Sequence, residues 1–181
     1  MEKMKNWQLM QALNIAKEII NTGQTLIPMI IGFTDKGHIL FPGFYKSDEE
    51  KYRYLGVVST CFLIYNVDYY ISISEGWAGT DPNLRPSQDP NRKDILFAAC
   101  ASRTEKRMLT YEIKETSGKK EFIEYASTAN AGGAFMELLP PEGATIPEEE
   151  RQKLIKKMEE LGLMVKPNED DIDLPPDSTI N

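Results

Sequence analysis

The chain has 181 residues, 41% of them hydrophobic and 27% charged, with a net charge of −7. These values exclude a collagen-like, disulfide-scaffold or wholly disordered protein and fit a globular domain large enough to bury its own core. The charge is uneven: residues 142–181 hold 11 acidic and 5 basic residues, whereas residues 1–141 hold 17 and 16. Neither part has the basic excess of a nucleic-acid binder, so direct binding of DNA or RNA is not expected.

Residues 4–22 carry Leu9, Ala12, Leu13, Ala16, Ile19 and Ile20 at helical spacing, and Gly23 supplies a stop. Two apolar runs, 25–34 and 38–44, flank Asp35-Lys36-Gly37 and predict a β-hairpin. Ser47-Asp48-Glu49-Glu50 is a capping box that opens a helix to about Asn66, with Leu55, Val58, Phe62 and Tyr65 on one stripe. Residues 69–74 read as a buried strand, and a polar, proline-rich loop follows over 76–93. Strands are expected at 94–102, 108–114 and 121–126 as an antiparallel meander, then a glycine-rich loop at 130–133 and a short edge strand at 135–139. A second capping box, 145–148, starts a helix with Leu154, Ile155, Met158 and Leu161 on its apolar face and Gly162 at its end.

This order predicts an α+β fold: a largely antiparallel sheet, made of the N-terminal hairpin and the later meander, with two or three helices packed on one face. The expected organisation is a single α+β domain over 1–141, an amphipathic helix packed on it over 142–163, and an acidic disordered tail over 164–181.

Catalytic signatures are scarce. The single His38 lies in a predicted hairpin strand, and serine or cysteine triads need a base. Cys61 and Cys100 sit in separate apolar runs and read as buried thiols. One histidine and two cysteines are too few for a structural zinc site, and no dinucleotide or phosphate-loop motif occurs, so no metal or cofactor is expected. The chain shows no signal-peptide pattern and no stretch able to span a membrane, which places the expectation in the cytoplasm with no membrane partner.

One constellation hints at chemistry. Glu75 and Asp94 flank the long loop, and Glu112-Ile113-Lys114 follows on the next strand, the order of acid, then acid-x-lysine, seen in restriction-like nucleases. Clustered there, Glu75, Asp89, Asp94 and Glu112 would hold Mg²⁺ while Lys114 steadied developing charge. The pattern is short, and Glu49-Glu50-Lys51 repeats it on a helix.

The richest segment is residues 75–94. It offers Trp77, Asp81, Arg85, Asp89 and Arg92 as binding candidates, and Pro82, Pro86 and Pro90 restrict its shape. Arg92 is expected to pair with Asp89 or Asp94, and Arg85 to stay exposed in mid-loop.

The motif pair Ser74-Glu75-Gly76-Trp77 and Pro86-Ser87-Gln88-Asp89-Pro90-Asn91-Arg92 resembles one in a diffuse set of uncharacterised bacterial and phage proteins, over about residues 26–113. Gly76 departs from the alanine usual there. No activity is established for that set, so the resemblance implies a shared fold and a mobile-element setting but no reaction. Small size and an acidic end are also similar, in type only, to phage-encoded inhibitors such as anti-CRISPR proteins. The functional expectation is a non-enzymatic binding or regulatory protein acting on a host protein, with a basic nucleic-acid-binding protein as one candidate partner. The alternative is a Mg-dependent hydrolase or nuclease.

Overall fold

A computed structural model describes residues 2–81, 83–128 and 134–167. The elements in chain order are α1 (Glu2–Asn21), β1 (Met29–Phe33), β2 (His38–Pro42), α2 (Asp48–Tyr65), β3 (Tyr69–Ala78), β4 (Lys93–Ser102), β5 (Lys106–Thr116), β6 (Lys119–Thr128) and α3 (Glu148–Glu160), with single 3-10 turns at Pro86–Gln88 and Ala134–Met136. The strands form one six-stranded sheet in the order β2-β1-β3-β4-β5-β6, and each neighbouring pair is antiparallel. The fold is therefore α+β with an antiparallel sheet, as expected.

The helices do not share one face. Alternation along β3 sends Tyr69, Ile71 and Ile73 towards α1, where they meet Leu9, Leu13 and Ala16. Tyr70 points the other way, into a second core with Phe62 and Val58 of α2. Two-sided burial follows from the apolar runs of β3 and β4, which leave no polar face for water. The α3 segment joins the α2 core through Leu154, Ile155 and Met158. Its expected fourth apolar residue, Leu161, is 70% exposed; Leu163 packs instead, after Gly162 turns the chain at φ 86. Cys61 and Cys100 are both buried, one in each of the two cores.

Local chemistry sets the helix ends. Ser47 Oγ accepts from the Glu50 N–H at 3.2 Å, and the Glu50 carboxylate reaches back to the Lys46 N–H at 2.7 Å. The second expected box, 145–148, does not form. Pro147 occupies the N-cap position and has no side chain to cap with. The first-turn glutamates instead hold Arg151, Gln152 and Lys153 one turn on.

Residues 135–139 are not an edge strand. Their backbone is tied from beneath by the buried Tyr70, whose hydroxyl donates to the Phe135 carbonyl and accepts from the Leu138 N–H. Met136 and Leu138 thereby close the α2 core. The glycine-rich 130–133 lies outside the described residues, as does the acidic tail beyond Pro167.

Residues 164–167, expected to be tail, belong to the fold. Val165 packs on the α2 core, and Lys166 forms a two-bond antiparallel bridge with His38 at the outer edge of β2. Gly37 permits this crossing. Its φ of 155 and the lack of a side chain let the Lys166 carbonyl pass where a Cβ would sit.

Phe62 is fully buried between Phe41 and Tyr70. Phe62→Ala is expected to cost about 3–5 kcal/mol in chemical denaturation, as large-to-small core changes do; a loss below about 0.5 kcal/mol would show that α2 does not carry the core. Gly37→Ala should lower the melting temperature and speed amide exchange at Lys166 and His38 while amides of β3 and β4 stay protected.

Candidate functional site

The candidate site sits where β3 and β4 leave the sheet. β3 runs four residues further than its apolar run, to Ala78, because Glu75, Gly76, Trp77 and Ala78 continue the ladder against Leu96, Ile95, Asp94 and Lys93. The loop is thus shorter than expected, 79–92, and Trp77 stands on a strand instead of in a loop.

Asp89 organises that loop. It is 2% exposed although it lies in a surface connection. Its Oδ2 accepts from the Thr80 N–H at 2.5 Å, the Thr80 hydroxyl at 3.0 Å and the Asp81 N–H at 3.0 Å. Its Oδ1 accepts from the Asn91 N–H at 2.8 Å, the turn expected of Asp-Pro-Asn. The backbone N–H groups of Thr80, Asn91 and Asp81 hold the carboxyl down at about 2, against an ordinary 3.8. Asp81 in turn accepts from both nitrogens of Asn83.

Arg92 makes no salt bridge to Asp89 or Asp94 among the described residues. Asp89 is held by three backbone N–H groups and the Thr80 hydroxyl, and Arg92 turns elsewhere. Its guanidinium lies 4.4 Å from the centre of the Trp77 ring, and Nη1 donates to the Ser87 carbonyl at 2.9 Å. The stack leaves Trp77 47% exposed. Leu84 and Arg85 are exposed on the same loop, and Arg85 has no hydrogen bond from its side chain among the described residues.

The four carboxylates of the nuclease reading do not converge: Asp89 is taken up by the loop's own backbone N–H groups. Glu75 and Asp94 have the parity of Ile73 and Leu96 and leave the sheet on the α1 face. Glu112 pairs with Ile95 and leaves on the opposite face, together with Lys114. The Glu75 carboxylate accepts from the Leu26 N–H at 3.2 Å, which ties down the chain entering β1. Glu112 is clamped by Lys93 at 3.0 Å and Lys114 at 3.7 Å. No group of three or more potential metal ligands occurs among the described residues.

Thr80, which donates twice to Asp89, was not singled out from the sequence. Nine residues separate the two, and no local spacing marks the pair. No described helix is long and apolar enough to cross a membrane. No family model, curated protein or solved structure matches the chain.

The low Asp89 value gives a signed pH prediction. A carboxyl depressed by folding stabilises the protein above its ordinary value and loses that contribution as pH falls from about 4 towards about 2. Asp89→Asn should therefore melt below wild type at pH 7, with the gap closing near pH 2. An equal gap at both pH values would show that the charge is not what orders the loop.

Proposed function

We propose that the chain is a non-enzymatic binding protein that engages another protein through the 79–92 loop and the end of β3. The observation that carries this reading is the exposed Trp77–Arg92 stack on a loop pinned by the buried Asp89. An ordered loop loses little entropy on binding, and exposed tryptophan and arginine are preferred anchors. Arg85 and Leu84 add an exposed cation and an exposed apolar side chain on the same loop. The separated carboxylates give the nuclease alternative no supporting geometry. The resembling motif pair supports a mobile-element setting, in which the partner is a host protein such as part of a nucleic-acid defence machine. The net charge of −7 favours a basic partner.

The test uses tagged wild type and the variants Trp77→Ala, Arg85→Ala and Lys153→Ala, the last a control on α3. Each is incubated with lysate of the cells that carry the protein, and captured proteins are identified by mass spectrometry. Binding of the captured partner is then titrated. Trp77→Ala and Arg85→Ala should each weaken binding roughly thirtyfold or more, with Lys153→Ala unchanged. Melting of Arg85→Ala should match wild type. Intact binding in both loop variants overturns the reading.

A further inference from the structure

The two edges of the sheet are treated differently. β2 is five residues long, ends in Pro42, which has no N–H to offer, and is bridged by Lys166 at its other end. Those are the features that block pairing with another chain. β6 is ten residues long with no proline, and its outer edge pairs with no other strand among the described residues.

The hydrogen-bonding side of β6 follows from its turn. Ser117 and Gly118 join β5 to β6 with φ 55 and 78, the two positive values of a type I′ turn. In such a hairpin the flanking residues, Thr116 and Lys119, bond to each other. Alternation then turns Lys119, Glu121 and Ile123 inward to β5, and turns the N–H and C=O groups of Lys120, Phe122 and Glu124 outward. A register shift between Thr110 and Tyr111 inserts Tyr125 as the extra residue of β6 and limits the regular stretch to the residues before it.

That regular edge is self-complementary in one register. We propose that β6 pairs antiparallel with β6 of a second copy of this chain, about a two-fold axis at Phe122. Lys120 then stands directly opposite Glu124 of the second copy, and by symmetry the pair occurs twice. All three outward-facing residues exchange hydrogen bonds in this register. On the other sheet face, Glu121 comes opposite Ile123, whose apolar side chain is 43% exposed in the single chain. Axes at Lys120, Glu121 or Glu124 each place like charges face to face, and an axis at Ile123 forms no opposite-charge pair. The partner is thus a second copy, joined edge to edge into one continuous sheet, and this assembly is independent of the loop at 79–92.

The test is sedimentation velocity on the full chain across micromolar concentrations, with amide exchange on the same samples. Wild type should reach twice the chain mass, with Lys120, Phe122 and Glu124 amides protected. Lys120→Glu and Glu124→Lys should each raise the dissociation constant about tenfold or more, since two attractive pairs become repulsive. An equimolar mixture of the two variants should recover the dimer, because each supplies the charge the other needs; recovery also shows that both variants fold. A wild type that stays monomeric overturns the proposal. So does a monomer with protected β6 amides, which would place another part of the same chain on the edge, and so does a dimer indifferent to both reversals.

Discussion

The double burial of β3 is the constraint from which the rest of the structure follows. A strand covered on both faces must supply apolar side chains at consecutive positions, and Tyr69 to Ile73 do so apart from Ser72. The odd positions seat α1, and Tyr70 seats α2 and anchors the cover at 135–138 through its hydroxyl. Burial pushes the Tyr70 hydroxyl well above the usual phenol range, so it serves as a neutral tether. Ser72 Oγ, buried with no hydrogen-bond partner among the described residues, is the exception in this strand. Because β3 is fixed by both cores, its last residues leave the sheet at a defined position, and Trp77 inherits that rigidity.

The loop beyond Trp77 is ordered by one carboxylate and backbone amides, with little help from ion pairs. That distinction has physical content. Exposed ion pairs weaken as salt rises, whereas a buried carboxylate bonded to amide N–H groups is screened far less. The loop's shape is therefore expected to persist at ionic strengths that would loosen the Glu49–Arg53 and Glu149–Lys153 pairs on the helices.

Much of the fold was legible in the sequence because each signal was local. The Ser47 cap, the Asn66 stop, the Ser117-Gly118 turn and the alternation of Leu109, Tyr111 and Ile113 act within a few residues. The placement of helices on both faces was also written there, in the continuous apolar runs of 69–74 and 96–101, yet the consecutive strand order argued for one covered face. The site was less legible, since its contacts cross strands. Arg92 lies fifteen positions from Trp77, and only the register Trp77↔Asp94 brings them together. The same holds for Glu112, whose separation from Asp94 depends on facing Ile95 and not its neighbour. Pairing register is set by the whole sheet, and no short motif encodes it.

The seating of α1 also governs the order in which the chain acquires its structure during synthesis. Leu9, Leu13 and Ile20 precede in sequence every strand that buries them, and those strands extend to Leu109 of β5. A growing chain therefore holds an amphipathic helix without its native partners until the strands through β5 exist. The β1–β2 hairpin meets the same delay, because its inner partner β3 follows α2. Both cores close around β3 and β4, and until those strands exist the apolar stripe of α1 stays uncovered by its native partners.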